Sequence, residues 1–510
     1  MRNYPKLNKA FLSQPQPATA NIDLPKVETF DLPEKILQFG AGGFLRAFAD
    51  VFVDQANRRG RFNGRIVVVQ STSSRRWAGL NDQDGLYTVC VQGVQQGKPV
   101  QEVILSSAIS RAIVAQESWR QVLECAEQPE IEIIISNTTE VGIRHDPEDR
   151  LHFTPPRSFP GKLTAVLYHR FKTFSGAEDR GLLILPCELI TDNGATLREI
   201  VLRLADQWRL EQEFVAWLES ANRFCNTLVD RIVPGKPAAE QLGALYEELG
   251  YQDDLLLTAE IYSLWAIEGD AAVRKRLSFC DANPAILIAP DITAYRERKL
   301  RLLNGTHTVS VPLAWLVGNR YVIDMMTHPL TSEWVESVMR QEIGRTLDMG
   351  KRVVADYIDS VLDRFRNPYL RHALLDITFE STSKLRLRVV PTIEKYYEKF
   401  GEAPLQICFG FAAYLLFMRA IAEDNDSFSG QRGDEIYPIN DSQAAYFYHK
   451  WREVDAQRRE SIHAFVESIC SNVTLWGSDL AHLPGFVEVV ANNLNEMISE
   501  GVERALRQKR

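Results

Sequence analysis

The 510-residue sequence has no apolar run that approaches the roughly 20 residues needed for a membrane-spanning helix. Its first 25 residues, MRNYPKLNKAFLSQPQPATANIDLP, contain no continuous hydrophobic segment, so we predict no signal peptide. Together these absences predict a cytoplasmic protein without membrane contacts.

Paired cysteines are also missing from the sequence. The seven cysteines are scattered and none belongs to a C-x-x-C pair, so neither a disulfide framework nor a structural zinc site is indicated. We therefore predict that most are small buried hydrophobic side chains, which suits a reducing compartment, and we predict no metal site. The cysteines are Cys90, Cys125, Cys187, Cys225, Cys280, Cys408 and Cys470.

The chain has no excess of positive charge. Lysine and arginine number 58 against 67 aspartates and glutamates, which gives a net charge of −9. This balance argues against a nucleic-acid partner, which requires a basic surface. It is compatible with a small anionic ligand, because a local pocket can be cationic on an acidic protein. The composition carries no information on oligomeric state.

The length exceeds what one hydrophobic core normally supports, so we expect two or three domains. After a loosely ordered N-terminal extension (1–32), strand and helix patterns alternate through residues 33–285. This alternation predicts a Rossmann-like parallel-sheet α/β domain. The patterns include the strands KILQF, RIVVVQS, EIEIIIS and RGLLILP and the helices FLRAFADVFVDQANRR, SWRQVLECAEQ and NGATLREIVLRLADQW.

Long helical patterns dominate after residue 285. Examples are KRVVADYIDSVLDRFRN, QICFGFAAYLLFMRAIAED and PGFVEVVANNLNEMISEGVERALRQ. We therefore predict an all-helical domain over residues 286–510, which makes the fold a Rossmann-like domain followed by a mainly α-helical one.

A glycine-rich turn connects the first strand to the first helix in ILQFGAGGFLRAF. Gly40 permits the tight turn, Gly42 lets the backbone approach a pyrophosphate, and the following helix offers N–H groups to the phosphates. The third glycine of the dinucleotide motif is replaced by Leu45. The predicted cofactor contacts are Ile36, Leu37, Gln38, Phe39, Gly40, Ala41, Gly42, Gly43, Phe44, Leu45, Arg46, Ala47, Gln70, Asn137 and Thr138.

The second strand ends at Gln70, without the acidic residue that usually binds the adenosine ribose. Arg75 and Arg76 follow and could accept a 2′-phosphate, so NADP stays open as an alternative to NAD. The same arginines are equally compatible with exposed loop charges.

The segment ERKLRLLNGTHT (297–308) carries polar residues on an amphipathic helix. On an α-helix, Lys299, Asn304 and His307 share one flank with the leucines at 300 and 303. Buried polar groups need partners, so the trio indicates a site. The alternative is a lysine that reaches solvent together with capped core residues.

Several blocks of the sequence resemble the mannitol dehydrogenase family of polyol-specific long-chain dehydrogenases. They are KILQFGAGGFLRAF, SNTTEVGI, LPCELITDNG, FCNTLVDRIVPG, YRERKLRLLNGTHT and RFRNPYLRHALL, in the family's order. Lys299, Asn304 and His307 match the family's catalytic signature of a lysine, an asparagine and a histidine. The resemblance implies metal-independent hydride exchange between a nicotinamide, expected as NAD, and a secondary alcohol or ketone. It also implies that the trio faces the cofactor across a domain cleft.

The resemblance assigns Lys299 as the general acid and base. Partial burial and the nearby Arg296, Arg298 and Arg301 are expected to lower its pKa, while Asn304 and His307 stabilise the substrate oxygen. Along a straight α-helix Lys299 and His307 are separated by about 12 Å of rise, so either the lysine side chain extends toward the site or the helix begins near the lysine.

Two features of the sequence favour a sugar acid over a plain polyol. Mannitol-type members have an Asp-Asn-Leu block where this chain has Glu188, Leu189 and Ile190, and uronate-reducing members look like this chain. Lys384 matches a substrate-contacting lysine and, with Arg386 and Arg388 nearby, is the candidate for binding a carboxylate. The two arginines are almost equally compatible with a solvated basic face.

The expected reaction is reversible reduction of a ketouronate, tagaturonate to altronate, with Lys384 and Glu140 as substrate contacts. The alternatives are a fructuronate or hexitol dehydrogenase of the same family and, from another class, a non-catalytic dinucleotide sensor. Such a sensor would have no use for the Lys299, Asn304 and His307 trio.

Overall fold

The structure is a computed structural model that describes residues 4–13, 22–71, 79–138, 142–424 and 427–509. The chain divides into two units. The first comprises Met1–Gln92 and Val100–Ile292, and the second comprises Gly93–Pro99 and Thr293–Arg510.

Strands form three sheets that lie mainly in the first unit and one small sheet in the second. In chain order they are β1 (Glu34–Phe39), β2 (Arg65–Gln70), β3 (Tyr87–Gln95), β4 (Lys98–Ser106), β5 (Ile109–Val114), β6 (Ile133–Ser136), β7 (Leu183–Pro186), β8 (Arg223–Phe224), β9 (Thr227–Asp230), β10 (Leu257–Glu260), β11 (Leu264–Glu268), β12 (Ile286–Ala289), β13 (Ala420–Asp424), β14 (Ser427–Arg432) and β15 (Glu435–Ile439).

The α-helices of the first unit are α1 (Lys9–Leu12), α2 (Gly43–Arg46), α3 (Ala49–Arg58), α4 (Gly79–Asp82), α5 (Ala115–Ala126), α6 (Phe159–Thr173), α7 (Asn193–Gln207), α8 (Gln212–Ala221), α9 (Ala239–Leu249) and α10 (Ala271–Arg276). Short 3-10 helices cover Val27–Asp31, Glu178–Arg180 and Ser278–Ala282.

The α-helices of the second unit are α11 (Thr293–Arg298), α12 (Thr306–Val317), α13 (Val322–Thr327), α14 (Pro329–Ser337), α15 (Gly344–Thr346), α16 (Lys351–Phe365), α17 (Leu374–Ile377), α18 (Ser381–Arg388), α19 (Val390–Phe400), α20 (Leu405–Phe417), α21 (Ala444–Arg452), α22 (Arg459–Cys470), α23 (Val473–Trp476), α24 (Phe486–Glu500) and α25 (Val502–Arg507). A 3-10 helix covers Leu480–His482, and π-helical segments cover Lys299–Gly305 and Val338–Ile343.

The central sheet of the first unit has six strands in the order β5-β2-β1-β6-β7-β8, all paired in parallel. This is the strand order of the doubly wound dinucleotide-binding fold. Successive residues of β1 point into two separate hydrophobic cores, Ile36 into one and Leu37 into the other. Burial of both faces explains the continuous apolar runs of these strands, and the predicted fold class is confirmed.

The N-terminal extension is packed over part of its length. Leu7 and Phe11 are buried, and the Phe11 ring lies 5.2 Å from the Tyr251 ring. Residues 4–13 therefore differ from the expected loose order, because their apolar side chains find a core of their own.

The helix predicted after the glycine turn is broken in two. Helix α2 ends at Arg46 and α3 begins at Ala49, with Phe48 in a non-helical conformation (φ −133°, ψ −91°). The Phe48 ring contacts Phe44 at 5.0 Å and Trp265 at 5.4 Å. Tertiary packing of aromatic rings thus outweighs the helical propensity of the sequence.

The second unit is mainly helical, but the expectation that it is all-helical is wrong. Strands β13, β14 and β15 form an antiparallel sheet, so the segment AIAED (420–424), which the sequence pattern assigned to a helix, is a strand. The turn between β14 and β15 contains Gly433 with φ of +56°, a conformation that favours glycine in hairpin turns.

All seven cysteines are buried and free, as the sequence predicts. Within the described residues, no helix combines the length and apolarity needed to cross a bilayer.

The second π-helical segment carries a buried carboxylate. Glu342 accepts hydrogen bonds from the backbone N–H groups of Gln406 (2.7 Å) and Ile407 (2.8 Å), at the start of α20. Burial raises the pKa of Glu342 to about 7 despite these hydrogen bonds. Glu342 therefore links the π-helical segment to the first turn of α20.

We expect Glu342→Gln to change how stability depends on pH. Because the pKa of Glu342 in the folded protein lies above its usual value of 4.5, its protonated form stabilises the fold, and this contribution is lost as pH rises through about 7. Between about pH 5 and 8, the wild type should lose about 2–3 kcal/mol of unfolding free energy relative to the variant. Urea unfolding across this range measures the difference. Glu336→Gln, on α14, is the control. If the difference in unfolding free energy between the wild type and Glu342→Gln does not change with pH, the raised pKa of Glu342 is contradicted.

Candidate active site

A change of helix type organises the trio of Lys299, Asn304 and His307. The π-helical segment Lys299–Gly305 is followed directly by α12, which begins at Thr306. Hydrogen bonds in a π-helix run from residue i to i+5, so Asn304, five residues after Lys299, lies about one turn further along. His307 follows Asn304 by three residues, which is the spacing of an α-helical flank. The straight α-helix assumed from the sequence, with its 12 Å rise, therefore does not apply.

His307 is held as a neutral ring. It stacks on Phe365 with ring centroids 4.1 Å apart, and His372 meets it edge-on at 6.0 Å. Burial and the positive field of His372, Arg364 and Arg388 hold the pKa of His307 well below its usual range. Its Nε2 atom is buried and has no hydrogen-bond partner in the described chain. A buried polar atom without a partner is costly, so this nitrogen is available to an oxygen of a bound substrate.

Three cationic side chains accompany the two histidines. Lys384 donates a hydrogen bond from Nζ to the Ile377 carbonyl (3.0 Å), and Arg388 donates to Oγ1 of Thr308 (3.4 Å). Burial, and then the charge of Arg388, lower the pKa of Lys384. Arg364 is the third cation, since its charge also acts on His307. The cluster of Arg364, Lys384 and Arg388 around His307 and His372 suits an anionic group on a ligand.

His372 belongs to the same cluster. Burial lowers its pKa, Lys384 lowers it further, and Asp376 opposes both effects. The sequence pattern assigns no specific role to His372, and the structure places its ring beside His307. Its position after the RFRNPY block is the only sequence signal for this role.

The arginines expected to surround Lys299 have other contacts. Arg298 packs its guanidinium 4.1 Å from the centre of the Tyr357 ring, and Arg301 forms an ion pair with Glu297 at 2.9 Å. Lys299 itself is partly buried at the start of the π-helical segment.

Helix α18 is tied to the π-helical segment. Arg301 donates hydrogen bonds to the carbonyl groups of Leu387 (2.9 Å) and Arg388 (3.1 Å). A Cβ atom on Gly305 would lie 3.3 Å from the Arg388 carbonyl oxygen, a tight contact that glycine avoids. Arg386, in contrast, is exposed and donates to the Thr474 carbonyl at 3.4 Å.

The glycine turn of the first unit presents its backbone to open space. Gly40 has φ of +132°, and a Cβ there would lie 2.8 Å from the Asn137 carbonyl oxygen, so only glycine fits. A Cβ on Gly42 would meet nothing within 4 Å. Among the described residues, none accepts a hydrogen bond from the N–H groups of Ala41, Gly42 or Gly43. Successive unpaired N–H groups of this kind fit the diphosphate of a dinucleotide.

Other predicted cofactor residues lie around this turn. The side chains of Ile36, Leu37, Phe39, Leu45 and Ala47 are in the hydrophobic cores, so only their backbones can contact a ligand. Phe44 packs against the core and is partly buried.

The end of β2 holds the remaining predicted cofactor position. Gln70 is buried at the last residue of the strand. Arg75 and Arg76, the candidates for a 2′-phosphate, lie outside the described residues, as does the predicted substrate contact Glu140.

Glu188 organises the ends of β6 and β7. Its carboxylate accepts hydrogen bonds from Oγ of Ser136 and from both N and Oγ1 of Thr138, each at 3.0 Å. Asn137 donates from Nδ2 to the Cys187 carbonyl at 2.7 Å. Burial raises the pKa of Glu188 even though these hydrogen bonds oppose the shift.

The neighbouring Leu189 is 65% exposed, so the position that holds an asparagine in mannitol-type sequences carries an exposed apolar side chain. Sequence reasoning recorded Glu188 only as a departure from the family pattern and missed this positioning role.

Comparison with known sequences gives two matches to family models. The first, described as the mannitol dehydrogenase Rossmann domain, matches residues 34–280, and the second, the mannitol dehydrogenase C-terminal domain, matches residues 291–498. The chain is similar to an altronate oxidoreductase of Bacillus subtilis (strain 168), with 40% identity over 93% of this chain and 95% of the relative. It is also 37% identical to an altronate oxidoreductase of Shigella flexneri, over 93% of this chain and 96% of the relative.

Two solved structures share the fold. A Pseudomonas fluorescens mannitol 2-dehydrogenase in ternary complex with NAD and D-mannitol aligns with a TM-score of 0.67 and 24% identity, over 99% of both chains. A D-sorbitol dehydrogenase in substrate-free form aligns with a TM-score of 0.78 and 23% identity, over 98% of this chain and 100% of the other.

We expect the His307 ring to stay neutral throughout the range in which a free histidine titrates. In ¹³C-histidine-labelled protein, the His307 ring signals should not shift between about pH 5.5 and 8, because burial and neighbouring cations disfavour the imidazolium. Loss of a signal in His307→Asn provides the assignment, and free histidine in the same tube is the reference. A midpoint near the usual histidine value would refute the neutral assignment.

Proposed function

The chain belongs to the mannitol dehydrogenase family, and from this premise we propose that it is an NAD-dependent oxidoreductase that interconverts tagaturonate and altronate. The observation that carries the proposal is the group of Arg364, Lys384 and Arg388 around His372 and a neutral His307 that has an unpaired ring nitrogen. Such a group suits a substrate that has both a carboxylate and a carbonyl oxygen. Relatives named altronate oxidoreductase, at 37–40% identity, support the same substrate class.

The cofactor residues that fit best are Ala41, Gly42 and Gly43, whose N–H groups would bind the diphosphate. When bound, the reduced nicotinamide supplies hydride to the carbonyl carbon. We propose NAD because a structural relative is described as a complex with NAD. NADPH is the comparison in the assay below.

Lys299 is proposed as the proton donor for carbonyl reduction and as the acceptor in alcohol oxidation. An ammonium group transfers its proton to the oxygen on which negative charge develops, without a metal ion. Asn304 and His307 lie on the same flank and donate hydrogen bonds to that oxygen, His307 through Nε2. A neutral imidazole suits this task because it donates a hydrogen bond without competing for the transferred proton.

Lys384 and Arg388 are proposed to bind the substrate carboxylate. Both are partly buried, which strengthens a charge-assisted hydrogen bond compared with one at an exposed site. The charge of Arg388 also acts on His307, so the carboxylate site and the carbonyl site belong to one cluster.

The test of the substrate class is NADH oxidation at 340 nm with matched pairs of ketouronates and uncharged ketoses. We expect kcat/KM to be higher for tagaturonate than for fructuronate and for either uronate than for fructose, and higher with NADH than with NADPH. Lys384→Ala should lower kcat/KM for the uronates about 10- to 100-fold and for fructose much less, because it removes one charge-assisted hydrogen bond.

A preference for fructose would instead support a hexitol dehydrogenase. NADH binding without turnover of any of these compounds would support a dinucleotide sensor. Equal effects of Lys384→Ala on charged and uncharged substrates would refute the carboxylate assignment.

Replacement of Lys299 tests the proton-transfer role. We expect Lys299→Ala to lower kcat about 10²- to 10⁴-fold, the range that general acid catalysis contributes, while the Kd for NADH changes little. Stopped-flow single turnovers and fluorescence titration with NADH measure the two quantities separately. Lys351→Ala, at the exposed start of α16, is the control, and near-normal turnover in Lys299→Ala would exclude the role.

A further inference from the structure

A fully buried polar cluster lies behind the glycine turn. Gln38, Arg46 and Asp50 each have no exposed surface, and Tyr87 is equally buried. Buried polar side chains are destabilising unless they form hydrogen bonds, so four together require a structural or functional reason.

Two members of the cluster bind carbonyl groups of the turn. Gln38 donates from Nε2 to the Gly40 carbonyl at 3.2 Å, and Arg46 donates from Nε to the Ala41 carbonyl at 3.3 Å. Both carbonyl oxygens therefore point into the protein, toward side chains fixed in the core.

The direction of these carbonyl groups sets the direction of the N–H groups. In a planar trans peptide, the N–H of one residue points opposite to the C=O of the residue before it. An inward Gly40 carbonyl turns the Ala41 N–H outward, and an inward Ala41 carbonyl turns the Gly42 N–H outward. These are two of the three N–H groups that no described residue accepts.

The anchoring side chains are themselves held rigidly. Arg46 donates from Nη1 to the Leu255 carbonyl at 2.8 Å, and its guanidinium lies 5.3 Å from the centre of the Tyr87 ring. The Tyr87 hydroxyl donates to the Arg46 carbonyl at 2.8 Å. Gln38 is held by Asp50, whose Oδ2 accepts from the same Nε2 at 3.4 Å. Neither side chain can rotate without breaking several contacts.

We propose that Gln38 and Arg46 are positioning residues that fix the peptide planes of the turn and so direct the Ala41 and Gly42 N–H groups at the cofactor diphosphate. The proposal rests on the dinucleotide-binding function proposed above. It accounts for how the turn works without the third glycine and with a helix α2 of only four residues. Preorganised donors bind an anion more tightly because less ordering is required on binding.

The test compares two arginines that are equally buried. We expect Arg46→Met to raise the Kd for NADH at least about tenfold while kcat at saturating NADH stays within about twofold, since the side chain does not touch the reacting groups. ADP-ribose, which keeps the diphosphate but lacks nicotinamide, should lose affinity by the same factor.

Arg170→Met is the matched control. Arg170 is 1% exposed and donates to the carbonyl groups of Arg180, Ala126, Gln128 and Ile131, none of which belongs to the turn. Its replacement should lower the melting temperature and leave the Kd for NADH unchanged. Gln38→Met, which removes the other anchor, is the second variant if Arg46→Met does not fold.

Wild-type Kd values in both Arg46→Met and Gln38→Met would overturn the inference and leave the proposed function intact. An equal loss of NADH affinity in Arg170→Met would also overturn it, because the effect would then follow from general destabilisation. Absence of dinucleotide binding by the wild-type protein would refute the proposed function, and the inference with it.

Discussion

The wider helical turn from Lys299 to Gly305 is the constraint on which the candidate active site depends. It sets the five-residue interval between Lys299 and Asn304 to about one turn, and the α-helix that follows adds His307 at three residues. On a regular α-helix the trio would spread over a flank about 140° wide, with Lys299 and Asn304 at its two edges. The change from α-helical to π-helical hydrogen bonding therefore turns the three polar side chains of this amphipathic segment toward a common direction. Such π-helical turns are often found at functional sites.

The charges around His307 determine the protonation state of its ring. Burial, and then the neighbouring His372, Arg364 and Arg388, keep the His307 ring neutral, so the ring can offer a hydrogen bond while the charge of the site stays on the cations. A protonated His307 ring would add a further positive charge beside these cations, which would raise the repulsion among them without providing a new kind of contact. In the proposed function, a neutral donor lies beside the carbonyl and cations lie beside the carboxylate, and this division of roles would follow from burial together with neighbouring charge.

The sequence was most informative where a chemical pattern is local. The parallel sheet could be predicted because β1 and β2 are buried on both faces and read as continuous apolar runs. The break at Phe48 could not, because it depends on contacts with Trp265, more than 200 residues away. The π-helical segment was missed for a related reason, since its residues are ordinary helix formers and an α-helical reading is the default. Glu188 and His372 gained roles only when folding brought Thr138 and His307 beside them.

The hydrogen bonds from Arg301 to the Leu387 and Arg388 carbonyls have a consequence for how the substrate preference of this protein can be changed. They join the π-helical segment that carries Lys299, the proposed proton donor, to helix α18, which carries the proposed carboxylate contacts, so neither element can be re-oriented alone. An engineered change of substrate preference should therefore replace both segments together. Replacement of α18 alone would remove or shift its contacts with Arg301 and so displace Lys299, the proposed proton donor.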